Sequence, residues 1–281
     1  MTPVIQTTFG ARLAAALDDR GPLCVGIDPH PELLDAWGLS DDADGLARFA
    51  ELCVQAFGGS AAVVKPQSAF FEAYGAAGIA VLERTVRACR AAGALVVLDV
   101  KRGDIGSTMA AYARAYLDPS APLAADALTL NPYLGVGSLE PAFELAERHG
   151  AGAFVLVLTS NKQGPQVQHA RIGDGRTVAQ VVLDELAERN RDAVPFGNLG
   201  VVVGATVGSA EVDLSGLNGP LLVPGIGTQG GTVADVQRIF AAALPAVLPS
   251  VSRSVLRDGP DVSALRAAVE RHAQQFAFLR A

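Results

Sequence analysis

Charge is scarce in this chain of 281 residues: Asp, Glu, Lys and Arg together make 18%, and the formal net charge is -7. That balance argues against a broad basic surface for nucleic acid, so an anionic ligand would need a local cationic pocket. Cysteine is nearly absent. The three present, Cys24, Cys53 and Cys89, are odd in number, lie inside apolar segments and lack metal-ligand spacing. This excludes a disulfide framework and predicts buried free thiols in a reducing compartment. No segment reaches the roughly 18 uninterrupted apolar residues of a membrane helix. The opening residues TPVIQTTFGARLAAALDDRG lack the basic start and long apolar core of an export signal. Neither export nor membrane insertion is expected, and the predicted location is cytoplasmic. The four histidines, His30, His149, His169 and His272, are scattered. They form no metal set, and solvated side chains are expected. No G-x-S-x-G occurs to suggest a Ser-His-Asp nucleophile.

What the chain has is hydrophobicity, half of all residues, enough to bury a sizeable core. Short apolar runs recur at 23–27, 61–65, 94–100, 127–130, 153–159, 199–204, 221–226 and 246–251. Between them lie stretches such as LARFAELCVQAF, AVLERTVRACRAA and TVAQVVLDELAERN, with apolar residues three and four apart. Strand then helix, repeated, implies parallel strands joined by crossovers. Eight units with no Pro/Gly/Ser linker predict an α/β fold, a closed (β/α)8 TIM barrel in a single domain over 1–281. An open doubly wound sheet is the alternative, because VGSAEVDLSGLNG is too short and glycine-rich for a clear helix. After the fifth strand, SNKQGPQVQHARIGDGRT runs without clear periodicity, as a lid or as an ordinary excursion.

The densest chemistry lies in ALVVLDVKRGDIGST, where Asp99, Lys101 and Asp104 crowd the end of a strand apolar enough to be buried. Side chains alternate across a strand, so Asp99 and Lys101 share a face. A cation between two carboxylates favours an ammonium at Lys101, hence an acid rather than a Schiff-base nucleophile. The plainer reading makes Asp104 a helix N-cap and Asp99 with Lys101 an ion pair closing the barrel. A divalent cation on Asp99 and Asp104 is opposed by Lys101 and Lys65, so no metal is expected. In a barrel, catalytic groups collect at the C-terminal strand ends. Asp28, Lys65, Asn131, Ser160, Gln229 and Arg253 all fall there. PGIGTQGG, containing Gln229 and Gly230, follows the seventh strand and leads into a helix. Its backbone amides, with Arg253 after the eighth strand, predict a phosphate pocket.

These segments together resemble orotidine 5'-phosphate decarboxylases, in particular the longer bacterial subfamily. LDVKRGDIGST resembles the family's Asp-x-Lys-x-x-Asp signature and VVKPQSAFFE the segment of its second-strand lysine. VGIDPHP, LTLNPYLG, LTSNK and VPGIGTQGG resemble further family segments in order, over nearly the whole chain. The resemblance implies a cofactor-free barrel, usually a homodimer, converting orotidine 5'-monophosphate to UMP and CO2 in pyrimidine synthesis. It assigns Lys101 as the proton donor to C6, Asp99 as the carboxylate facing the departing carboxylate, and Lys65 as completing the charge array. Asp104 and Thr108 would reach the partner subunit's site. Asp28 would bind the ribose, Ser160 the pyrimidine, and Gln229, Gly230 and Arg253 the phosphate. Two other readings remain: a magnesium-dependent sugar-phosphate decarboxylase or lyase of the same superfamily, and a non-catalytic nucleotide-binding barrel.

Overall fold

The structure, a computed structural model, describes residues 7–207, 212–227 and 230–280. Eight parallel strands, β1 (Cys24–Ile27), β2 (Val63–Pro66), β3 (Leu95–Arg102), β4 (Ala127–Leu130), β5 (Gly152–Leu158), β6 (Leu199–Val203), β7 (Leu221–Val223) and β8 (Val247–Val251), close into a barrel in sequence order. Closure is made by β1 against β8, with Cys24 opposite Ser250. The (β/α)8 barrel is therefore the observed fold, and the open sheet is excluded. The seventh strand is shorter than its apolar run suggests. Pro224 has no N–H to extend a ladder, Gly225 turns the chain at φ 94°, and Ile226 pairs with Gly231 instead.

Around the barrel run α1 (Phe9–Arg20), α2 (Pro31–Ala36), α3 (Ala43–Phe57), α4 (Ser68–Glu72), α5 (Gly75–Ala91), α6 (Gly106–Leu117), α7 (Glu140–His149), α8 (Pro165–Gln168), α9 (Val178–Asn190), α10 (Val233–Ile239), α11 (Arg253–Leu256) and α12 (Val262–Gln275). Their ends follow from local chemistry. Asp42 caps α3 by accepting from the amides of Asp44 and Gly45, Thr177 caps α9, and Thr232 with Asp235 forms a reciprocal box on α10. Gly150 ends α7 in the left-handed region at φ 59°. The stretch after β6 contains no helix among its described residues, in keeping with its glycine content. The long segment after β5 is built around α8. Gln168 accepts from the Thr159 amide and donates to the Thr159 hydroxyl, and Arg171 bridges Thr177.

Two apolar layers form the core. The larger lies between the strands and the outer helices. The smaller fills the barrel axis, where Cys24, Val63, Leu95, Val97, Ala127, Phe154, Val202, Leu222 and Leu248 meet Phe9, Leu13 and Leu17 of α1. The sequence reading does not include α1, which precedes the first strand and falls outside the strand–helix alternation. It plugs the N-terminal end of the barrel, with Phe9 edge-on to Phe154 at 6.0 Å between ring centroids. Each such side chain, fully buried, contributes about 1.5–3 kcal/mol. The three cysteines are buried free thiols, and burial pushes Cys24 up to about 12.

Candidate active site

Along each strand the inward positions pass from apolar to polar toward the C-terminal end. On β2 they run from Val63 to Lys65, on β3 from Leu95 and Val97 to Asp99, and on β4 from Ala127 to Thr129. The two-residue side-chain period places each polar group one step above the sealed axis. Their tips open into a cavity of about 440 Å³.

At its floor Asp99 is gripped from both sides. Its Oδ2 accepts from Lys65 Nζ at 2.7 Å and its Oδ1 from Lys101 Nζ at 2.6 Å. Lys65 and Asp99 are buried, while the Lys101 side chain is 44% exposed and reaches up into the cavity. Burial opposes ionisation of Asp99, but the charges of Lys65 and Lys101 outweigh it and hold the carboxyl far below the usual range. Burial likewise opposes the Lys65 ammonium, and the charges of Asp99 and Asp28 more than offset it, so that amine is pushed up. An ionised carboxylate between two cations is thus built in before any ligand arrives.

Lys101 stands at φ 45°, in the left-handed region that non-glycine residues rarely enter. Such a conformation costs of order 1–3 kcal/mol and persists only where neighbours enforce it. Here β3 bulges: between the pairs Leu98–Leu128 and Arg102–Leu130, three residues of β3 face the single Thr129 of β4. Asp99 and Lys101 do share a face, as strand alternation predicts, although the strand is not regular where they meet.

Beside β2, the end of β1 and the segment following β8 approach closely. A Cβ on Gly26 would lie 2.7 Å from Ser252 Cβ and 3.2 Å from Asp28 Oδ1, so only glycine fits. Both Asp28 Oδ1 and Ser252 Oγ are buried yet make no hydrogen bond among the described residues. Polar atoms buried in this way are normally satisfied, so these two mark where a ligand's hydroxyls would bond. Arg253 opens α11 at the rim, exposed, with no ion pair among the described residues, and lines the same cavity as Gly225 and Ser160.

The remaining predicted residues are distributed differently. Gln229 lies outside the described residues. Gly230 does not line the cavity, and the amides of Gly227, Gly230 and Gly231 are taken by carbonyls within their own loop. In this conformation those three N–H groups are not free to meet an anion, and Arg253 is the cation at the cavity rim. Asp104 and Thr108 line no part of their own chain's cavity, and neither does Asn131. Asp104 is not the cap of α6 either: Ile105 holds that position, and Asp104 accepts from the Ile105 amide. The expectation of solvated histidines fails twice. His30 lines the cavity with its ring 4.2 Å from that of Phe70, and His272 is half-buried, with burial lowering its pKa. Sequence reasoning also passed over Thr129 and Ser252. Thr129, a hydroxyl at an inward position of the buried run ALTL, was a usable signal. Ser252 gave none, since serine beside Arg253 is ordinary loop composition.

Among the described residues no His, Cys, Asp or Glu group of three has metal-holding geometry, and no helix is long and apolar enough to cross a membrane.

Comparison with known proteins places this arrangement in a lineage. A family model described as "Orotidine 5'-phosphate decarboxylase / HUMPS family" matches residues 21–268. The orotidine 5'-phosphate decarboxylase of Salinispora arenicola is 62% identical over 264 residues, 94% of this chain and 95% of its own length. That of Streptomyces coelicolor is 61% identical over 265 residues, with the same coverage. A solved chain from Streptomyces avermitilis superposes with a TM-score of 0.96 at 58% identity, covering 100% of this chain and 99% of that one.

Proposed function

The chain belongs to the orotidine 5'-phosphate decarboxylase / HUMPS family, and from that premise we propose that it is a carboxy-lyase converting orotidine 5'-monophosphate to UMP and CO2 in pyrimidine biosynthesis. The observation that carries the reading is the Lys65–Asp99–Lys101 array at the cavity floor, with Arg253 at its rim.

The array suits the chemistry. Breaking the bond between C6 and the carboxylate leaves an electron pair on C6 that the pyrimidine ring delocalises poorly. Lys101, on the exposed side of Asp99, supplies a fixed positive charge to that carbon and then a proton to it. Asp99 faces the departing carboxylate, and Lys65 keeps Asp99 ionised from behind. Charges already in place need no reorganisation during the reaction, which is the largest advantage a site can hold over water. Asp28 takes a ribose hydroxyl through its unpaired oxygen, and Ser160 the pyrimidine. Arg253 at the rim takes the phosphate, joined by the side chain of Gln229 from the loop after β7; Gly230, whose amide is bonded within that loop, does not share this role. Binding energy from that remote phosphate is available to hold the ring against the array. All of this is done by side chains, so the activity is cofactor-free.

The working unit is a homodimer formed by the single barrel domain of residues 1–281. Asp104 and Thr108, which do not line their own chain's cavity, extend into the partner's. Ile105, 62% exposed beside Asp104, and Tyr133 and Leu134, 75% and 52% exposed after the neighbouring strand β4, supply apolar surface for such contact. The buried free thiols suit a cytoplasmic enzyme.

The test is the loss of ultraviolet absorbance of orotidine 5'-monophosphate with purified protein pretreated with EDTA, with UMP identified as product. Rapid turnover establishes the reading. Folded protein that turns over only a sugar phosphate, and only with magnesium, belongs with the lyases. UMP binding without turnover identifies a nucleotide sensor.

A further inference from the structure

We propose that Thr129 is the positioning residue of this site: its hydroxyl sets the backbone turn that aims Lys101 and orients the carboxylate that Lys101 meets. The proposal rests on the decarboxylase reading for its kinetic consequence and on geometry alone for its structural one.

A threonine hydroxyl has one proton to give and two lone pairs to fill. At Thr129 all three are used on the same short stretch of β3. The Oγ1 accepts from the Val100 amide at 3.0 Å and from the Lys101 amide at 2.9 Å, and it donates to Asp99 Oδ1 at 2.8 Å. That oxygen of Asp99 is also the one that holds Lys101 Nζ. Thr129 is 1% exposed, so water does not substitute for it.

The bulge explains the need. With three residues of β3 opposite one of β4, the regular ladder leaves amides without strand acceptors. The ladder resumes when Arg102 pairs with Leu130 and its carbonyl accepts from Asn131 N at 2.8 Å. Thr129 is the acceptor that bridges the gap. A β-branched side chain suits this task, because its restricted χ1 holds the hydroxyl in one direction. The left-handed φ at Lys101 is then the conformation in which its amide reaches Thr129 while its side chain returns to Asp99. Bulges beside functional sites commonly re-aim a side chain in this way. Thr129 thus ties the main chain at Lys101 and the carboxylate of Asp99 to one atom, so neither charged group moves independently of the other.

The experiment compares Thr129→Val, Thr129→Ala and Thr129→Ser with the parent protein, measuring kcat and KM for orotidine 5'-monophosphate, the Kd for UMP, and the crystal structures. Thr129→Val is expected to lower kcat about 100-fold through displacement of the reacting groups, with KM and the UMP Kd within roughly threefold because the phosphate and ribose contacts remain. Thr129→Ser, which restores the hydroxyl, is expected to recover most of the loss. Ser and Ala differ only in that oxygen, so this pair carries the test if the valine variant fails to fold. In the crystal, the valine or alanine variant should show Lys101 leaving positive φ. A kcat within threefold of the parent for the variants lacking the hydroxyl, or a serine variant no better than alanine, overturns the proposal. Parent protein that does not decarboxylate the nucleotide overturns the functional reading instead. The variant structures then decide Thr129 alone: Lys101 retaining its left-handed φ and its contact with Asp99 overturns it, and loss of both upholds it.

Discussion

A single carboxylate organises the site. Asp99 binds two ammonium groups through different oxygens, and removing Lys101 leaves the buried Lys65–Asp99 pair intact. Lys101→Ala should therefore fold and bind UMP within a few-fold of the parent while kcat falls by about 100- to 10,000-fold or more, the range for a lost general acid. A variant keeping a tenth of the parental kcat would rule out Lys101 as proton donor. The same pair sets a pH response. Because the folded Asp99 carboxyl lies far below its ordinary 3.8, its stabilising contribution is complete above that value and is lost as the pH falls below it. Lys65 is pushed above its ordinary 10.5, so its contribution is complete below that value and is lost as the pH rises past it. Asp99→Asn should cost about 3–5 kcal/mol near neutrality by stranding a buried ammonium. Its thermal midpoint should also fall less steeply than the parent's on acidification below about pH 4. Equal acid slopes for the two proteins would show that other carboxyls govern the acid transition. Lys65, Asp99 and Lys101 were legible in the sequence because their charges stand out against buried strands. Thr129 and Ser252 were not picked out, since a hydroxyl gains its role only from the atoms it meets.

At the scale of elements, short apolar runs carried the strands and three- to four-residue spacing the long outer helices, because both are written locally in the chain. It did not carry α1, which precedes the first strand and plugs the N-terminal end of the barrel. It also missed the short helices α2, α4, α8 and α11, which hold too few residues for a period to register. The role of α1 is testable without touching the site, which sits at the other end of the barrel. Phe9→Ala should lower unfolding free energy by about 3–5 kcal/mol, measured by urea denaturation, through loss of a fully buried ring and the cavity left against Phe154. Turnover at a temperature where the variant remains folded should match the parent. A large drop in kcat would mean that the plug transmits strain along the axis to Asp99.

At the scale of the whole molecule, the proposal that two subunits share each site makes a prediction that one chain cannot meet. Inactive Lys101→Ala and Asp104→Ala proteins, mixed under conditions that exchange subunits, should regain activity, because a mixed dimer contains one site with both groups intact. Proven exchange with no recovered activity would place Asp104 outside the machinery. The eight strand–helix units and the chemical character of the residues at their strand ends were determined by the sequence alone, since apolar runs, hydrophobic period and residue type are properties of neighbours along the chain. Closure was decided instead by the pairing of β1 with β8. Which amides in the PGIGTQGG loop are already taken, and that Asp104 does not line its own chain's cavity, were decided only in three dimensions. So were the close approach of Ser252 to Gly26 and the bulge that puts three residues of β3 against Thr129. Each of these depends on the register between segments far apart in sequence, and register is set by the packing of the whole barrel rather than by any one strand.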